Sequence, residues 1–302
     1  MTTALAMLVA LLSDAVFGEP RRFHPLVGFG RFASACEQIL YADARFAGVA
    51  AWCFSVLAPV ALLCVLRAYL PMAASFAVDV VVVCFAVGRR SLGDHARPVA
   101  QALLDGDLDR AREGVGRMVS RDTEALDETR VAAAATESVL ENGHDAVFGV
   151  LFWFVLLGAP GALLFRLANT LDAMWGYRTP RYERFGWAAA RADDVLGFLP
   201  ARLTASTYAA LGHFRGAIRC WRAQAAAWDS PNAGPVMASG AGALRVRLGG
   251  PAPYHGRWEE RPELGEGDPA DAGAVFRALR LVDRGVVAWL VIAIVVGAAA
   301  HA

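Results

Sequence analysis

The chain has 302 residues, of which 56% are hydrophobic and only 19% charged, with a mean hydropathy of +0.39. Soluble globular domains carry about 25% charged residues, so this composition describes an integral membrane protein with sizeable polar loops. Net charge is zero, which leaves no electrostatic footprint for nucleic acid. All 29 basic residues are arginine. A P-loop lysine, a Schiff base and a lysine nucleophile are therefore excluded, and any bound phosphate must be held by arginine, backbone N–H groups or a metal.

The first apolar helix covers Ala4 to Phe17 and is short for a full span of about 20 residues. It lacks a basic leader and a small-residue cleavage site, so it reads as a retained membrane segment. A turn-rich loop follows, Phe17-Gly18-Glu19-Pro20-Arg21-Arg22-Phe23-His24-Pro25. Gly28 opens an amphipathic piece that reaches about Phe46. Gly48 to Leu70 is a transmembrane helix, Pro71 breaks it, and Met72 to Val87 makes a second that carries Asp79 in its middle. The hairpin connection holds only Arg67, whereas the preceding loop holds Arg21, Arg22, Arg31 and Arg45. The positive-inside rule puts that loop in the cytoplasm.

Arg89 to Glu141 is polar and helical, with a turn at Asp105-Gly106-Asp107. A long helix starts from about Thr123, and on it Glu137, Glu141 and Asp145 are spaced i, i+4, i+8 and share one face. Ala146 to Leu167 is long enough to span, but Gly158-Ala159-Pro160-Gly161 interrupts it. A single crossing would place Arg178, Arg181, Arg184 and Arg191 outside and would part Glu137 and Asp145 from Asn169 and Asp172. A helical hairpin or a re-entrant pair keeps both sets on one side, and irregular backbone at that depth is tolerated when protein buries it.

Val195 to Leu211 carries Pro200 and Arg202 and reads as an interfacial or protein-packed helix. Arg215 to Trp228 is basic and amphipathic. Ser230 to Pro235 is a turn leading into a small-residue helix, Met237 to Leu244, and Leu248 to Tyr254 is another loop. Trp258 to Ala270 is acidic and reads as mobile. Leu281 to Ala300 is the last transmembrane helix, with Arg280, Asp283 and Arg284 at its mouth. The expected fold is an all-α, polytopic membrane protein forming one embedded domain over residues 1–302, with about four to six membrane helices by apolar length. Its polar segments, 88–145 and 212–280, face the cytoplasm. The five cysteines form no CxxC pair and read as small buried hydrophobes.

Polar residues at both ends of the apolar stretch 146–167 are costly there and point to function. Glu137, Glu141 and Asp145 with Asn142 could bind Mg²⁺, which takes one or two carboxylates plus phosphate oxygens; a solvated helix face is the plain alternative. Arg166, Asn169 and Asp172, three residues apart, drift slowly round one face, and Asp193 and Asp194 offer a second carboxylate cluster. An ion-paired network at the membrane edge would use the same residues. His24 is a candidate acid or base, though a loop histidine is more often structural. Asp79 fits an interhelical hydrogen-bond partner. The loops 230–235 and 248–254 could offer N–H donors to an anion, but neither is a P-loop or GxGxxG. No Ser-His-Asp order, HExxH or nucleophile elbow is present.

Several ordered motifs, covering nearly the whole chain, resemble the cobalamin-biosynthesis membrane protein family of adenosylcobinamide-phosphate synthases. They are Asp14-x3-Gly18-Glu19-Pro20 with His24-Pro25, Arg121-Asp122-Thr123, Glu137-Ser138 through Glu141-Asn142 to Asp145, Asn169-Thr170-Leu171-Asp172, and Ala190-Arg191-Ala192-Asp193-Asp194. Pro200-Ala201-Arg202-Leu203-Thr204, Ser230-Pro231-Asn232-Ala233-Gly234 and Leu248-Gly249-Gly250 with Tyr254 complete them. Where the family often has Gly-Val-Val-x-Pro after the aspartate, this chain has Ala146-Val147-Phe148-Gly149-Val150, a departure that bears on local helix geometry.

The resemblance implies that adenosylcobyric acid is joined to (R)-1-amino-2-propanol phosphate, or to aminopropanol, in an ATP- and Mg²⁺-dependent amide ligation. The product is adenosylcobinamide phosphate. Under it, Glu137, Glu141, Asp145 and His24 are the catalytic candidates, with Asp145, Asp193 and Asp194 as metal ligands. Arg121, Arg166, Arg191 and Arg202 would hold phosphates, while Asn142, Asn169, Asp172 and Asn232 would bind substrate. The expected setting is the inner membrane, with the site on the cytoplasmic side and other enzymes of the pathway as potential partners. Two further readings stay open, a transporter or permease component and a scaffold for corrinoid enzymes.

Overall fold

The computed structural model describes residues 2–18 and 24–299. Of the expected turn-rich loop, residues 19–23 lie outside the described residues. In chain order the helices begin α1 (Thr2–Phe17), α2 (Pro25–Leu40), α3 (Arg45–Trp52), α4 (Ala58–Tyr69), α5 (Met72–Ala86), α6 (Arg89–Leu104), α7 (Leu108–Gly116) and α8 (Glu128–Gly143). They continue as α9 (Gly149–Leu157), α10 (Ala159–Trp175), α11 (Tyr182–Phe185), α12 (Trp187–Leu211), α13 (Phe214–Gln224), α14 (Ala233–Leu244) and α15 (Ala272–Ala299). The fold is helical and polytopic. Among the described residues, four helical runs are long and apolar enough to cross a membrane: Arg45–Tyr69, Met72–Leu104, Glu128–Leu157 and Ala272–Ala299. As the sequence suggests, Thr2–Phe17 is an apolar helix below that length.

The chain divides into two compact units, where the composition alone suggested one embedded domain. The first comprises Met1–Gly88, Asp145–Gly197 and Leu290–Ala302. Its core is built from Ala33, Ala47, Ala51, Val56, Leu167, Leu171, Trp175, Phe185 and Ala189. Small residues let the backbones approach: a Cβ on Gly48 would lie 1.8 Å from the Phe185 carbonyl oxygen, so only glycine fits. Trp175 and Phe185 meet edge-on with centroids 5.1 Å apart, an arrangement that aromatic quadrupoles favour. Phe54, Leu62, Val65, Leu66, Val291, Ile292, Val295 and Val296 point outward. Apolar surface of that extent suits hydrocarbon rather than water.

The interrupted segment folds as a helical hairpin. Gly158 adopts φ 68°, ψ −157°, a region open essentially to glycine, and Pro160 then starts α10 where its missing N–H does no harm. Gly149 packs flat against the Phe165 ring, with no room for a Cβ. Of the stretch that departs from the family pattern, Ala146-Val147-Phe148 lies in a π-helical turn, His144–Phe148, and Gly149-Val150 opens α9. Such turns interrupt the regular ladder and recur at functional sites. Across α4 and α5, Arg67 pairs with Asp79 through two contacts of 2.8 Å, so Asp79 is the interhelical partner its position suggested.

The second unit comprises Arg89–His144 and Phe198–Trp289. Helices α13 and α14 touch through glycines: a Cβ on Gly242 would sit 2.6 Å from the Gly216 carbonyl oxygen. Helix α8 begins at Glu128 rather than near Thr123, because Asp127 caps it by accepting the Arg130 N–H at 2.8 Å. Here five short strands interrupt the all-helical expectation: β1 (Val246–Gly249), β2 (Ala252–Tyr254), β3 (Arg257–Glu259), β4 (Glu263–Gly265) and β5 (Asp268–Pro269). β1 pairs antiparallel with β4 and parallel with β5, and β2 with β3 forms a hairpin. Its turn, His255-Gly256, has both φ values positive, as a two-residue hairpin of matching twist requires. The acidic segment Trp258–Ala270, mobile by its composition, is thus pinned by strand pairing.

Candidate functional sites in the two units

In the second unit the polar centre is Glu137, whose side chain is 2% exposed. Its Oε2 accepts from Arg121 Nη2 at 2.6 Å and from Arg261 Nη2 at 2.8 Å. Its Oε1 accepts the Gly249 N–H at 2.7 Å. A carboxylate so fully engaged is an anchor and not a ready metal ligand or proton acceptor. Arg121 arrives from the segment before α8, which the hairpin holds: Asp122 donates its N–H to the Pro253 carbonyl and accepts the Gly256 N–H. The Arg121 guanidinium is raised further above its ordinary value. Burial acts against this, and the Glu137 carboxylate outweighs it.

Glu141 lies one turn beyond Glu137 on the same helical face, half-buried. Regular α-turns end at Gly143, so Asp145, inside the π-turn, does not extend that face as the i, i+8 spacing implied. Asn142 is satisfied locally, its Nδ2 donating to the Ser138 carbonyl at 2.9 Å. Arg202 and Asn232 are brought together, Nη1 donating to Oδ1 at 3.1 Å, while the guanidinium lies 3.5 Å over the Phe198 ring. Both glycine N–H groups of the loop expected to hold an anion are already taken. The Gly249 N–H goes to Glu137, and the Gly250 N–H goes to the Pro262 carbonyl.

In the first unit, α10 and α12 bring Asn169, Asp172, Asp193 and Asp194 together. Asn169 Nδ2 donates to Asp193 Oδ1 at 3.3 Å. Asp172 is half-buried, and its carboxyl is pushed up to about 6, by burial first and then by the carboxylate of Asp194. Burial raises Asp194 too, with Arg191 at 3.1 Å opposing it. A carboxylate raised by burial and by a neighbouring carboxylate gains from a cation beside it. Among the described residues no set of three or more His, Cys, Asp or Glu stands at metal-holding spacing. Mg²⁺ is commonly bound through one or two carboxylates and substrate phosphate, so the Asp172–Asp194 pair fits that ion.

The remaining candidates divide. Arg166 is half-buried on α10 one turn before Asn169, and Asp145 is half-buried. His24 is the N-cap of α2: its Nδ1 accepts the Leu26 N–H at 3.2 Å, and its ring stands edge-on to Phe85. The cysteines are all free; Cys36 and Cys220 are buried as expected, but Cys64 is exposed. Arg261 was missed. It is a lone arginine in an acidic segment, and only the pairing of β1 with β4 carries it to Glu137.

Apolar helices with outward-facing side chains, carrying clusters of carboxylate and arginine, define a polytopic membrane protein with polar sites. The model of the CobD/Cbib protein family matches residues 7–282. The chain belongs to this family. It is 58% identical over 296 residues to the cobalamin biosynthesis protein CobD of Stutzerimonas stutzeri, covering 97% of each chain. It is 56% identical to the protein of that name in Chromobacterium violaceum, covering 99% of each, and 42% identical to that of Mycobacterium tuberculosis, covering 93% of this chain and 91% of the relative. No solved structure matches it. Membership places the chain among the proteins of cobalamin biosynthesis.

Proposed function

We propose that this protein is an ATP-dependent amide ligase that joins (R)-1-amino-2-propanol phosphate, or aminopropanol, to a carboxylate of adenosylcobyric acid, giving adenosylcobinamide phosphate. The observation that carries the reading is the Asp172–Asp194 pair in a member of this family: two half-buried carboxylates, both raised by burial and Asp172 also by the Asp194 charge, suited to Mg²⁺.

Carboxylate and amine do not condense readily in water, so the acid is first activated. Its oxygen attacks the terminal phosphorus of ATP, the bond to the bridging oxygen breaks, and ADP leaves. The amine nitrogen then attacks the acyl carbon, phosphate departs, and the proton of the ammonium passes to a base. Bound Mg²⁺ would supply charge neutralisation on the phosphates. Asp172 and Asp194, beside Asp193, would hold it, and Asn169 would orient Asp193. Glu141 is the better proton acceptor of the α8 pair, because Glu137 is consumed by three donors. Arg121, Arg166, Arg191 and Arg202 would hold anionic groups, with Asn142 and Asn232 as hydrogen-bonding partners. We place the protein in the inner membrane, with its polar sites towards the cytoplasm.

The test is direct. Detergent-solubilised protein receives adenosylcobyric acid, aminopropanol phosphate and Mg-ATP, and mass spectrometry follows the corrinoid. Amide product with matching ADP release is expected without any sealed compartment. Corrinoid movement that requires vesicles, with no amide formed, would overturn the ligase in favour of transport.

A further inference from the structure

We propose that Arg261, held beside Arg121 by Glu137, forms a binding site for a phosphate monoester. Glu137 accepts from one Nη2 of each guanidinium, so a single carboxylate fixes two cations side by side. Arg121 and Arg261 are mostly covered, with side chains 11% and 13% exposed. Arg261 Nη1 is buried with no hydrogen-bond partner. Buried donors are almost always paired, and an orphan on a guanidinium, which cannot shed its proton, calls for an acceptor.

The surroundings hold that donor in place. The Trp228 ring lies 4.7 Å from the Arg261 guanidinium carbon. Gly249, in the left-handed region at φ 74°, packs so closely on the Pro262 carbonyl oxygen that a Cβ would sit 2.2 Å from it. The Gly250 N–H donates to that same carbonyl. Arg121 is fixed from the other side by the hairpin bonds of Asp122. Two rigid guanidiniums with a spare donor match an anion with several acceptor oxygens. A phosphate monoester carries three such oxygens and close to two charges near pH 7, and guanidinium recognises it by paired, charge-assisted bonds. A cation is disfavoured here, since two fixed positive charges outnumber the one carboxylate bonded to them. Glu141, one turn away and within electrostatic reach of both arginines, stands where an amine attached to that phosphate would find a counter-charge.

The inference rests on the proposed ligase only for the carrier of the phosphate, the phosphorylated amine or the nucleotide. Binding is therefore measured without turnover, by calorimetry on the full-length protein in detergent. The titrants are inorganic phosphate, aminopropanol phosphate, aminopropanol and a non-hydrolysable ATP analogue with Mg²⁺. Aminopropanol phosphate is expected to bind the wild type and to lose at least tenfold in affinity in Arg261→Gln. Aminopropanol should bind both proteins alike. A tenfold loss confined to the ATP analogue keeps the phosphate site and assigns it to the nucleotide. Arg261→Lys, which keeps the charge facing Glu137 but lacks the orphaned Nη1, should show the same loss and covers the case in which Arg261→Gln does not fold. Unchanged affinity for every phosphate-bearing titrant in a folded Arg261 variant overturns the site. Failure of amide formation with intact Arg261-dependent binding would overturn the ligase and leave the site standing.

Discussion

Asp194 on α12 acts on Asp172 on α10: burial, and then the Asp194 charge, lift the Asp172 carboxyl to about 6 from its ordinary 3.8. The folded protein thus holds a proton that the unfolded chain has already released between those values. Where the folded state binds more protons, stability falls as pH rises. The wild type is therefore expected to lose stability from about pH 4 to 6 and to level off above. Asp172→Asn should flatten that part of the profile and raise the thermal midpoint at pH 7. Added Mg²⁺ should raise the midpoint of the wild type at pH 7 and leave that of Asp172→Asn unmoved. An equal Mg²⁺ response in both proteins would remove Asp172 from the metal assignment.

Glu137 and Glu141 share a helical face but not a role. Glu137→Gln leaves two buried arginines facing a neutral group, and breaking a buried pair by removing one partner costs about 3–5 kcal/mol. A large drop in thermal midpoint is expected. Glu141→Gln should hold its midpoint within a few degrees and lose most ligation. The reverse pattern, a stable Glu137→Gln and an unfolded Glu141→Gln, would exchange the two assignments.

Arg67 and Asp79 fasten the α4–α5 hairpin with side chains only 29% and 16% exposed. Asp79→Asn should destabilise by about 3 kcal/mol, because it strands a guanidinium among apolar side chains. Removing both charges, Arg67→Leu with Asp79→Leu, should restore most of the loss, since a buried pair replaced by apolar groups is often neutral. Thermal unfolding of the single and double variants in detergent measures the coupling. Strict additivity of the two single effects would show that the pair contributes nothing.

Two glycines, one between helices and one within a helix, should respond oppositely to alanine. At Gly158, φ 68° with ψ −157° is strained for any side chain, so Gly158→Ala should cost about 1–3 kcal/mol. Gly28 is exposed on α2 with nothing within 4 Å of a new Cβ, and Gly28→Ala should gain about 0.5–1 kcal/mol from lower chain entropy. Chemical denaturation of both variants checks the contrast. Equal destabilisation would mean that backbone conformation does not control the α9–α10 hairpin.

Helices were legible wherever the cause lay within a few residues. Pro71, the Gly158-Ala159-Pro160-Gly161 break and the apolar runs mark α4, α5, α9 and α10 because proline, glycine and hydropathy act locally. Helix α8 starts later than the sequence suggests, since the cap at Asp127 competes with Thr123 and only the fold shows which one the chain uses. The strands between 246 and 269 are not legible locally because each is two to four residues long, and β1 is held by partners well separated in sequence. The carboxylates of both sites could be named from spacing, yet their roles could not.

By itself the sequence determined a helical, membrane-embedded chain, its family, the polar residues stranded beside apolar segments, and arginine as the residue left to hold phosphate. These follow from composition and near-neighbour pattern, which act through solvent and local backbone. Only the tertiary structure decided that Glu137 is an anchor, that His24 caps a helix, that the Asp194 charge reaches Asp172, and that Arg261 joins Arg121. Those are facts about which side chains share low-dielectric space, and residues 124 apart in sequence, such as Glu137 and Arg261, come together only when strands and helices have packed.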